Sequence, residues 1–291
     1  YNHRIEKGKP FSYVLFIRPE VTDWRPALGW FRNKNLKLFK PRTPETWMIA
    51  GNGAYSEYEG ELDAYQMLRS GLQFNWKCGL DYFYMGMFLP KTNDLDFSWT
   101  NARFQGAEMP SFPTSIRNLA NYSKKMRADG FHVLNYMNPA ELGLKIEPFV
   151  APPQRKAERD EDLWRDANDF VFYKLRDAVL FPKDAAEPYK AWEQSVLMDV
   201  GVPSYQAHLI EQSKMHLDHL PDSSGVCFDR TDYLRFFNWK RDDGFSWVSD
   251  APCGSLAFGW VDFMKKVGPL FQEKGKAIYC NPLYRRIDLY E

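Results

Sequence analysis

The segment SSGVCFDRTDYL, residues 223–234, places two carboxylates and a guanidinium directly after a short apolar run. Residues 225–229 are predicted to form a buried strand, and Asp229, Arg230 and Asp232 stand at its end. A positioned carboxylate can attack a substrate or transfer a proton, and a neighbouring cation keeps it ionised. The same residues could instead form an ion pair and a helix cap after a strand. The elements around the segment have to decide between these two interpretations.

Five apolar runs, spaced along the whole chain, are predicted as strands that alternate with helices. The strands are 12–17, 72–78, 131–136, 225–229 and 277–280, and the helices are 61–70, 114–130, 204–220 and 255–274. Residues 19–60 and the stretch after the fourth strand are predicted as long loops. Turns from helix to strand are short, whereas connections from strand to helix are long. This asymmetry is typical of a (β/α)₈ barrel, whose active site lies at the carboxyl ends of the strands.

We therefore predict an α/β protein of the (β/α)₈ TIM-barrel type, forming one domain over residues 1–291. The stretch 151–200, which opens with Ala151-Pro152-Pro153, is predicted to be an insertion within it. A closed barrel needs eight strands, so the chain is expected to be an incomplete barrel or an open relative. An open doubly wound sheet would also fit the alternation, but no G-x-G-x-x-G sequence follows the first strand.

The residues that follow the predicted strands are rich in carboxylates and amides and show no Ser/His or Cys/His arrangement. Cleavage of a glycosidic bond needs two carboxyl groups, one on each side of the bond. Aromatic residues make up 16% of the chain, and aromatic faces among polar groups suit sugars. The strand-end and loop residues predicted to bind substrate are Trp76, Asp81, Trp99, Asn138, Glu141, Arg230, Asp232 and Asn281.

Two stretches resemble known families. Residues 128–138, ADGFHVLNYMN, resemble the third-strand region of barrel glycoside hydrolases, and residues 225–230, GVCFDR, resemble the fourth strand of melibiase-type α-galactosidases and related retaining α-glycosidases. The resemblance implies that Asp229 is the catalytic nucleophile and that the substrate is α-linked. Those enzymes usually carry Lys where this chain has Cys227. Their acid/base Asp lies on a later strand near an Arg-x-Asp sequence, which Arg286-Ile287-Asp288 matches after the fifth strand, so either Asp288 or a residue beyond Glu291 is the expected proton donor.

The resulting prediction is a retaining glycoside hydrolase acting on an oligosaccharide or polysaccharide, with Asp229 and Asp288 as the catalytic pair. The alternative is a carbohydrate-binding or scaffold protein that keeps the barrel but lacks a second catalytic carboxylate. We expect an extracellular or periplasmic location, although the sequence contains no signal-peptide pattern.

Composition excludes several other classes of protein. Lys plus Arg and Asp plus Glu number 38 each, so no net charge favours nucleic acid or an anionic membrane. No apolar run approaches the ~20 residues that span a bilayer. The four cysteines form no C-x-x-C pair, which argues against a zinc site built on cysteines. His216 and His219 have a spacing that could bind a metal, but they lie at the end of a predicted helix, where the helix dipole favours the protonated imidazole. The sequence predicts no metal and no cofactor.

Overall fold

The computed structural model describes residues 3–19, 23–40, 52–56, 71–75, 95–96, 99–100, 113–142, 167–191 and 195–281. Within these ranges the α-helices are α1 (Trp24–Lys34), α2 (Ile116–Ala128), α3 (Ala167–Lys174), α4 (Pro203–His219) and α5 (Leu256–Gln272). The strands are β1 (Asn52–Ser56), β2 (Gly71–Asn75), β3 (Trp99–Thr100), β4 (Pro113–Thr114), β5 (His132–Met137), β6 (Glu141–Leu142), β7 (Val196–Leu197), β8 (Gly225–Asp229), β9 (Phe237–Asn238), β10 (Ser246–Val248), β11 (Ala251–Ser255) and β12 (Ala277–Asn281). Short 3₁₀ turns cover Leu36–Phe39, Arg176–Ala178 and Tyr233–Arg235.

Five strands form a parallel sheet in the order β1-β2-β5-β8-β12. The order of these strands across the sheet is therefore the same as their order along the chain. Sequential parallel order without a reversal is the order of a (β/α) barrel rather than of a doubly wound sheet. The predicted α/β class and parallel sheet are confirmed. Closure into eight strands stays a prediction.

The helix predicted over 114–130 and the strand predicted over 131–136 are confirmed as α2 and β5. Local signals in the sequence mark the start and the end of this helix. The hydroxyl of Ser115 accepts a hydrogen bond from the Asn118 backbone N–H at 3.2 Å and caps the start of α2. Gly130, with φ +89°, adopts the left-handed conformation that ends the helix and turns the chain into β5. The helix predicted over 204–220 is α4, and that over 255–274 is α5.

One face of the sheet packs against the helices. Val226 and Phe228 of β8 share the largest core cluster with Leu209 of α4 and with Trp260 and Phe263 of α5. The Phe228 and Phe263 rings lie 5.6 Å apart, centre to centre. Because side chains alternate along a strand, Cys227 and Asp229 must point to the opposite face.

That opposite face changes from apolar to polar along the strands. Leu134, Cys227 and Ala277 form a small buried cluster there. Parallel registration pairs Tyr136 with Cys227, and Asp229 with Asn281 one level further along. The polar side chains of three neighbouring strands are therefore brought together at the carboxyl end of the sheet.

The prediction for the first strand was wrong. Residues 12–17 form no strand, and Tyr13 and Ile17 are 78% and 83% exposed. A short apolar run does not by itself specify a strand, because the same residues serve in other contexts. The first position of the sheet belongs to Asn52–Ser56, and α1 begins after the capping residue Asp23; both elements lie within the stretch predicted as a loop over 19–60.

The long connection after β8 was also predicted as a loop, yet much of it is a three-stranded antiparallel sheet in the order β10-β11-β9. Ser249 and Asp250, with φ +48° and +60°, form the turn between β10 and β11. The predicted loop residues 250–254 therefore lie largely in β11. Backbone pairing between β10 and β11 and between β11 and β9 gives this connection a regular structure that the sequence did not predict.

A buried ion pair fastens this small sheet to the start of α4. Asp199 is fully buried and accepts from Arg241 Nε at 2.7 Å and from the Asn238 amide at 3.0 Å. Gly201 and Gly254 line the Arg241 side chain so closely that a Cβ on either residue would lie within 2.8 Å of the guanidinium. The absence of side chains at these two positions makes room for Arg241.

The described part of the predicted insertion, residues 167–191 and 195–200, contributes to the main core. Val171, Ala178 and Val200 are completely buried in the same cluster as Trp260 and Phe263. Its status as an insertion stays a prediction. Among the described residues, no helix combines the length and apolarity needed to cross a membrane.

Candidate active site

Asp229 lies at the carboxyl end of β8 and is 4% exposed. Its Oδ2 accepts a hydrogen bond from the Tyr136 hydroxyl at 3.0 Å, and its Oδ1 accepts from the Asn281 amide at 3.1 Å. Tyr136 belongs to β5 and Asn281 to β12, so both strands beside β8 hold the carboxyl group. Each carboxylate oxygen has two lone pairs, so each can accept a further contact.

Glu141 provides a second buried carboxyl group close by and is 2% exposed. Its Oε1 accepts from the Tyr233 hydroxyl at 2.5 Å, and its Oε2 accepts from the Asn138 amide at 3.2 Å. Arg230 Nε lies 3.4 Å from Oε1. All of these partners are donors, which is the arrangement that an ionised carboxylate needs.

The guanidinium of Arg230 is held from three sides. It donates to the Tyr233 hydroxyl at 2.5 Å, lies 4.5 Å from the centre of the Tyr233 ring and forms ion pairs at 3.4 Å with Glu141 and Asp232. The Arg230 side chain nevertheless keeps 29% of its surface exposed. It joins the residues after β8 to those after β5.

Asn138 holds Glu141 and fixes the turn after β5. Its Oδ1 accepts from the Ala140 backbone N–H at 3.1 Å, which fixes the turn after β5, and its amide reaches Glu141. The Asn138 side chain also lowers the pKa of Tyr136, although burial and the Asp229 charge keep that pKa well above its ordinary value. Tyr136 therefore stays protonated and acts as a hydrogen-bond donor to Asp229.

Burial raises the pKa of Asp229 above its ordinary value, since charge is costly in a medium of low polarity. The Arg230 backbone N–H and the Tyr136 hydroxyl oppose this rise. Burial also raises the pKa of Glu141, and the nearby negative charge of Asp229 adds to the effect. Buried carboxyl groups with several donors and shifted pKa values cluster at functional sites.

The structure brings together five of the residues predicted at the strand ends: Asn138, Glu141, Asp229, Arg230 and Asn281. Asp232 joins them through its ion pair with Arg230. Trp76, Asp81 and Asp288 lie outside the described residues, so their predicted roles stay predictions. Trp99 lies in the two-residue strand β3, and its side chain is likewise outside the description.

Sequence reasoning missed Tyr136 and Tyr233. Tyr136 was assigned only to a strand. Side chains two residues apart lie on the same face of a strand, so Tyr136 shares a face with the strand-end residue Asn138. That spacing could have identified Tyr136 as a site residue. Tyr233 lies in the 3₁₀ turn after β8, and only the three-dimensional structure shows that its hydroxyl reaches Glu141 across a sequence separation of 92.

In the described part of the chain, no three His, Cys, Asp or Glu side chains are grouped so that they could hold a metal ion. The carboxyl groups at the strand ends are instead surrounded by amide, hydroxyl and guanidinium donors. This donor set suits proton transfer or nucleophilic attack by a carboxylate better than metal coordination.

No protein-family model and no curated protein sequence matches the chain. Among solved structures, the chain is similar to the glycoside hydrolase domain of PelA from Pseudomonas aeruginosa, with 12% identity and a TM-score of 0.41 over 80% of this chain and 59% of that one. It is similar to the cycloalternan-degrading enzyme from Trueperella pyogenes, with 16% identity and a TM-score of 0.47 over 87% of this chain and 33% of that one. It is also similar to an α-galactosidase from Thermus thermophilus, with 14% identity and a TM-score of 0.38 over 80% of this chain and 38% of that one.

The chain thus spans less than two thirds of each of these three structures. One of the three is named as an α-galactosidase.

Proposed function

We propose that the protein is a retaining glycoside hydrolase in which Asp229 is the nucleophile. One Asp229 oxygen forms a bond to the anomeric carbon while the glycosidic C–O bond breaks and the leaving oxygen takes a proton from a general acid. A water molecule then attacks the anomeric carbon, gives its proton to the same group and releases Asp229. The sugar leaves with its original anomeric configuration.

The observation that carries this proposal is the environment of the Asp229 carboxyl. It is buried at the carboxyl end of a central parallel strand and receives donors from both adjacent strands. Strand-end carboxylates of parallel barrels belong to the active-site face. A simple strand cap would need neither burial nor a protonated tyrosine beneath it.

We assign the proton donor to a group other than Glu141, because its two oxygens already accept hydrogen bonds from the Tyr233 hydroxyl and the Asn138 amide. The Arg230 charge opposes the rise in the Glu141 pKa that burial and the Asp229 charge cause. A carboxyl group whose two oxygens both face donors is poorly oriented to present a proton to a leaving group. We therefore keep Asp288, or a residue beyond Glu291, as the acid/base group, and we keep the α-linked substrate and the eight-stranded closure as further parts of the proposal. An extracellular or periplasmic location also remains part of the proposal.

Aryl glycosides of both anomeric configurations provide the test, because their hydrolysis is easily monitored. Asp229→Asn should reduce turnover by about four orders of magnitude or more, which is the scale on which loss of a nucleophile acts. Its thermal midpoint should stay within a few degrees of the wild-type value. If Asp229→Asn hydrolyses aryl glycosides at the wild-type rate, Asp229 is not the nucleophile.

Retention can be tested independently. A 2-deoxy-2-fluoro glycosyl fluoride of the preferred sugar should label the protein, and peptide mapping should place the sugar on Asp229. Proton NMR of the first product should show the anomeric configuration of the substrate. A product of opposite configuration would contradict the retaining mechanism.

The hydrogen bonds to both Glu141 oxygens also support the second candidate function, a carbohydrate-binding protein that does not hydrolyse its ligand. Glu141, the second buried carboxyl group of the cluster, accepts hydrogen bonds at both of its oxygens and is poorly oriented to donate a proton. Isothermal titration with oligosaccharides separates the two candidates. Binding without hydrolysis of any aryl glycoside would favour the binding protein.

A further inference from the structure

The two oxygens of the Asp229 carboxyl group face different strands. Oδ2 accepts the hydrogen bond from Tyr136 of β5 at 3.0 Å, whereas Oδ1 accepts the one from Asn281 of β12 at 3.1 Å. Because β8 lies between β5 and β12, these donors reach Asp229 from opposite sides. In a retaining mechanism one carboxylate oxygen attacks the sugar, and the other becomes the carbonyl oxygen of the covalent ester. The surroundings of each oxygen therefore bear on which of these roles it takes.

The β5 side of the carboxyl group is closed. Tyr136 is 5% exposed, and Asn138 and Glu141, which follow it along the chain, are 1% and 2% exposed. The hydrogen bond from Tyr136 to Oδ2 is itself buried. A sugar could reach Oδ2 from this side only by displacing these packed side chains, so Oδ2 is poorly placed to attack.

The β12 side is more open. Asn281 is half-buried, as is Tyr279, which lies two residues earlier on the same face of the strand. Parallel registration places Asn281 directly beside Asp229, whereas Tyr136 pairs with Cys227, two residues closer to the start of β8. Tyr136 thus reaches Oδ2 from beneath, and Oδ1 lies beside a partly accessible strand end.

The chemistry of ester formation favours the same division of roles. The attacking oxygen loses its negative charge as it bonds to carbon, so a donor to that oxygen contributes less in the transition state. The carbonyl oxygen remains an acceptor throughout, so a donor to it continues to stabilise the reacting group. A phenol hydroxyl is a stronger hydrogen-bond donor than a carboxamide, so Tyr136 contributes most on the oxygen that remains an acceptor.

We propose that Oδ1 of Asp229 is the atom that attacks the anomeric carbon and that Tyr136 binds Oδ2 as the carbonyl oxygen of the resulting ester. An electron pair of Oδ1 forms the new bond, while the electrons of the glycosidic bond pass to the leaving oxygen, which takes the proton of the general acid. Asn281 holds Oδ1 before the attack and releases it as the ester forms. This inference rests on the proposed role of Asp229 as the nucleophile.

A crystal structure of the trapped ester tests the assignment directly. Wild-type protein is labelled with the 2-deoxy-2-fluoro glycosyl fluoride. The Tyr136 hydroxyl should then lie at hydrogen-bond distance, about 2.5–3.0 Å, from the Asp229 oxygen that does not carry the sugar. A sugar bonded to the oxygen that faces Tyr136 would overturn this inference and leave the proposed function intact. If no ester forms at Asp229, the proposed function fails and this inference falls with it.

Infrared difference spectroscopy provides a second readout. Comparison of trapped protein that contains aspartate ¹³C-labelled at the side-chain carboxyl with unlabelled trapped protein isolates the carbonyl band of the ester. A hydrogen bond to a carbonyl oxygen lowers its stretching frequency, so Tyr136→Phe should shift this band to higher wavenumber and Asn281→Ala should leave it in place. The inference is overturned if the band stays in place in Tyr136→Phe or moves in Asn281→Ala.

Tyr205→Phe is the matched control for this measurement. Tyr205 is buried like Tyr136, but its hydroxyl donates to the Pro139 backbone carbonyl at 2.8 Å rather than to Asp229. Its ester band should coincide with that of wild type. An equal shift in Tyr205→Phe would attribute the change to altered packing and overturn the inference. Mass spectrometry of the intact proteins establishes that each variant carries one sugar.

Discussion

Replacing Tyr136 by phenylalanine removes a single hydroxyl group from beneath the Asp229 carboxyl. That hydroxyl donates to Oδ2 at 3.0 Å, and both side chains are at most 5% exposed. Water therefore cannot easily take its place. The ring that fills the sheet face beside Cys227 is retained, so packing changes little.

The expected effect follows from the charge of the acceptor. A hydrogen bond to a charged group contributes about 1.5–3 kcal/mol, and 1.36 kcal/mol corresponds to about one pKa unit. The hydroxyl stabilises the ionised form, so its loss should raise the Asp229 pKa by about one to two units. Because Asp229 has to be ionised to act as the proposed nucleophile, the acidic limb of kcat/KM should move to higher pH by the same amount.

The assay is the pH profile of kcat/KM for wild type and Tyr136→Phe. Well below the new pKa, activity should fall by about ten- to a hundredfold and should recover substantially as the pH rises. Tyr205→Phe is the matched control, since Tyr205 is equally buried and its hydroxyl donates at 2.8 Å to the backbone carbonyl of Pro139 rather than to a carboxylate. If the acidic limbs of Tyr136→Phe and wild type coincide, the hydroxyl does not tune Asp229 and the reasoning fails.

Three predictions concern stability. Burial raises the pKa of Asp229 in the folded state, so wild-type stability should fall as the pH rises from the unfolded pKa of this group through its folded pKa. Asn does not titrate, so the thermal midpoint of Asp229→Asn relative to that of wild type should increase with pH over this window. A constant difference between the two midpoints would contradict the raised pKa. Arg241→Ala removes the cationic partner of the fully buried Asp199 and should cost about 3 kcal/mol or more in urea unfolding. Arg117→Ala breaks an exposed ion pair and should cost nothing measurable. Gly254→Ala would place a Cβ 2.5 Å from the Arg241 Cζ and should destabilise the protein through the same ion pair, so that it adds little in an Arg241→Ala background; full additivity would count against this mechanism.

The part of the fold that sequence predicted best consists of elements with clear local ends. Ser115 and Gly130 bracket α2, and SSG precedes β8, so both boundaries could be predicted to within two residues. The apolar run at 12–17 was misleading, because a strand needs partners and the sequence does not reveal which edge is available. β1 could not be predicted, since residues 52–56, NGAYS, carry almost no apolar signal and derive their strand conformation from pairing with β2.

The site was predictable where its residues end a strand. Asp229, Asn138 and Asn281 could be found from that rule alone, because parallel strands bring their carboxyl ends to one edge. The partnership between Glu141 and Arg230 could not be found in this way, since it depends on two loops meeting in space. The left-handed backbone at Arg230, with φ +58°, has no sequence signal either, because arginine has no preference for it.

The position of β8 between β5 and β12 has a consequence for the protein while it is being synthesised. Tyr136 precedes Asp229 in the chain, but Asn281 follows it by 52 residues. At about 5–20 residues per second, the ribosome needs roughly 3–10 s to add them. During this interval one edge of β8, with the buried side chains of Val226 and Phe228, has no neighbouring strand, and such edges are prone to pair with other chains. A nascent chain that pauses within this window would therefore expose this edge for longer, and Asp229 would still lack the hydrogen bond that Asn281 provides.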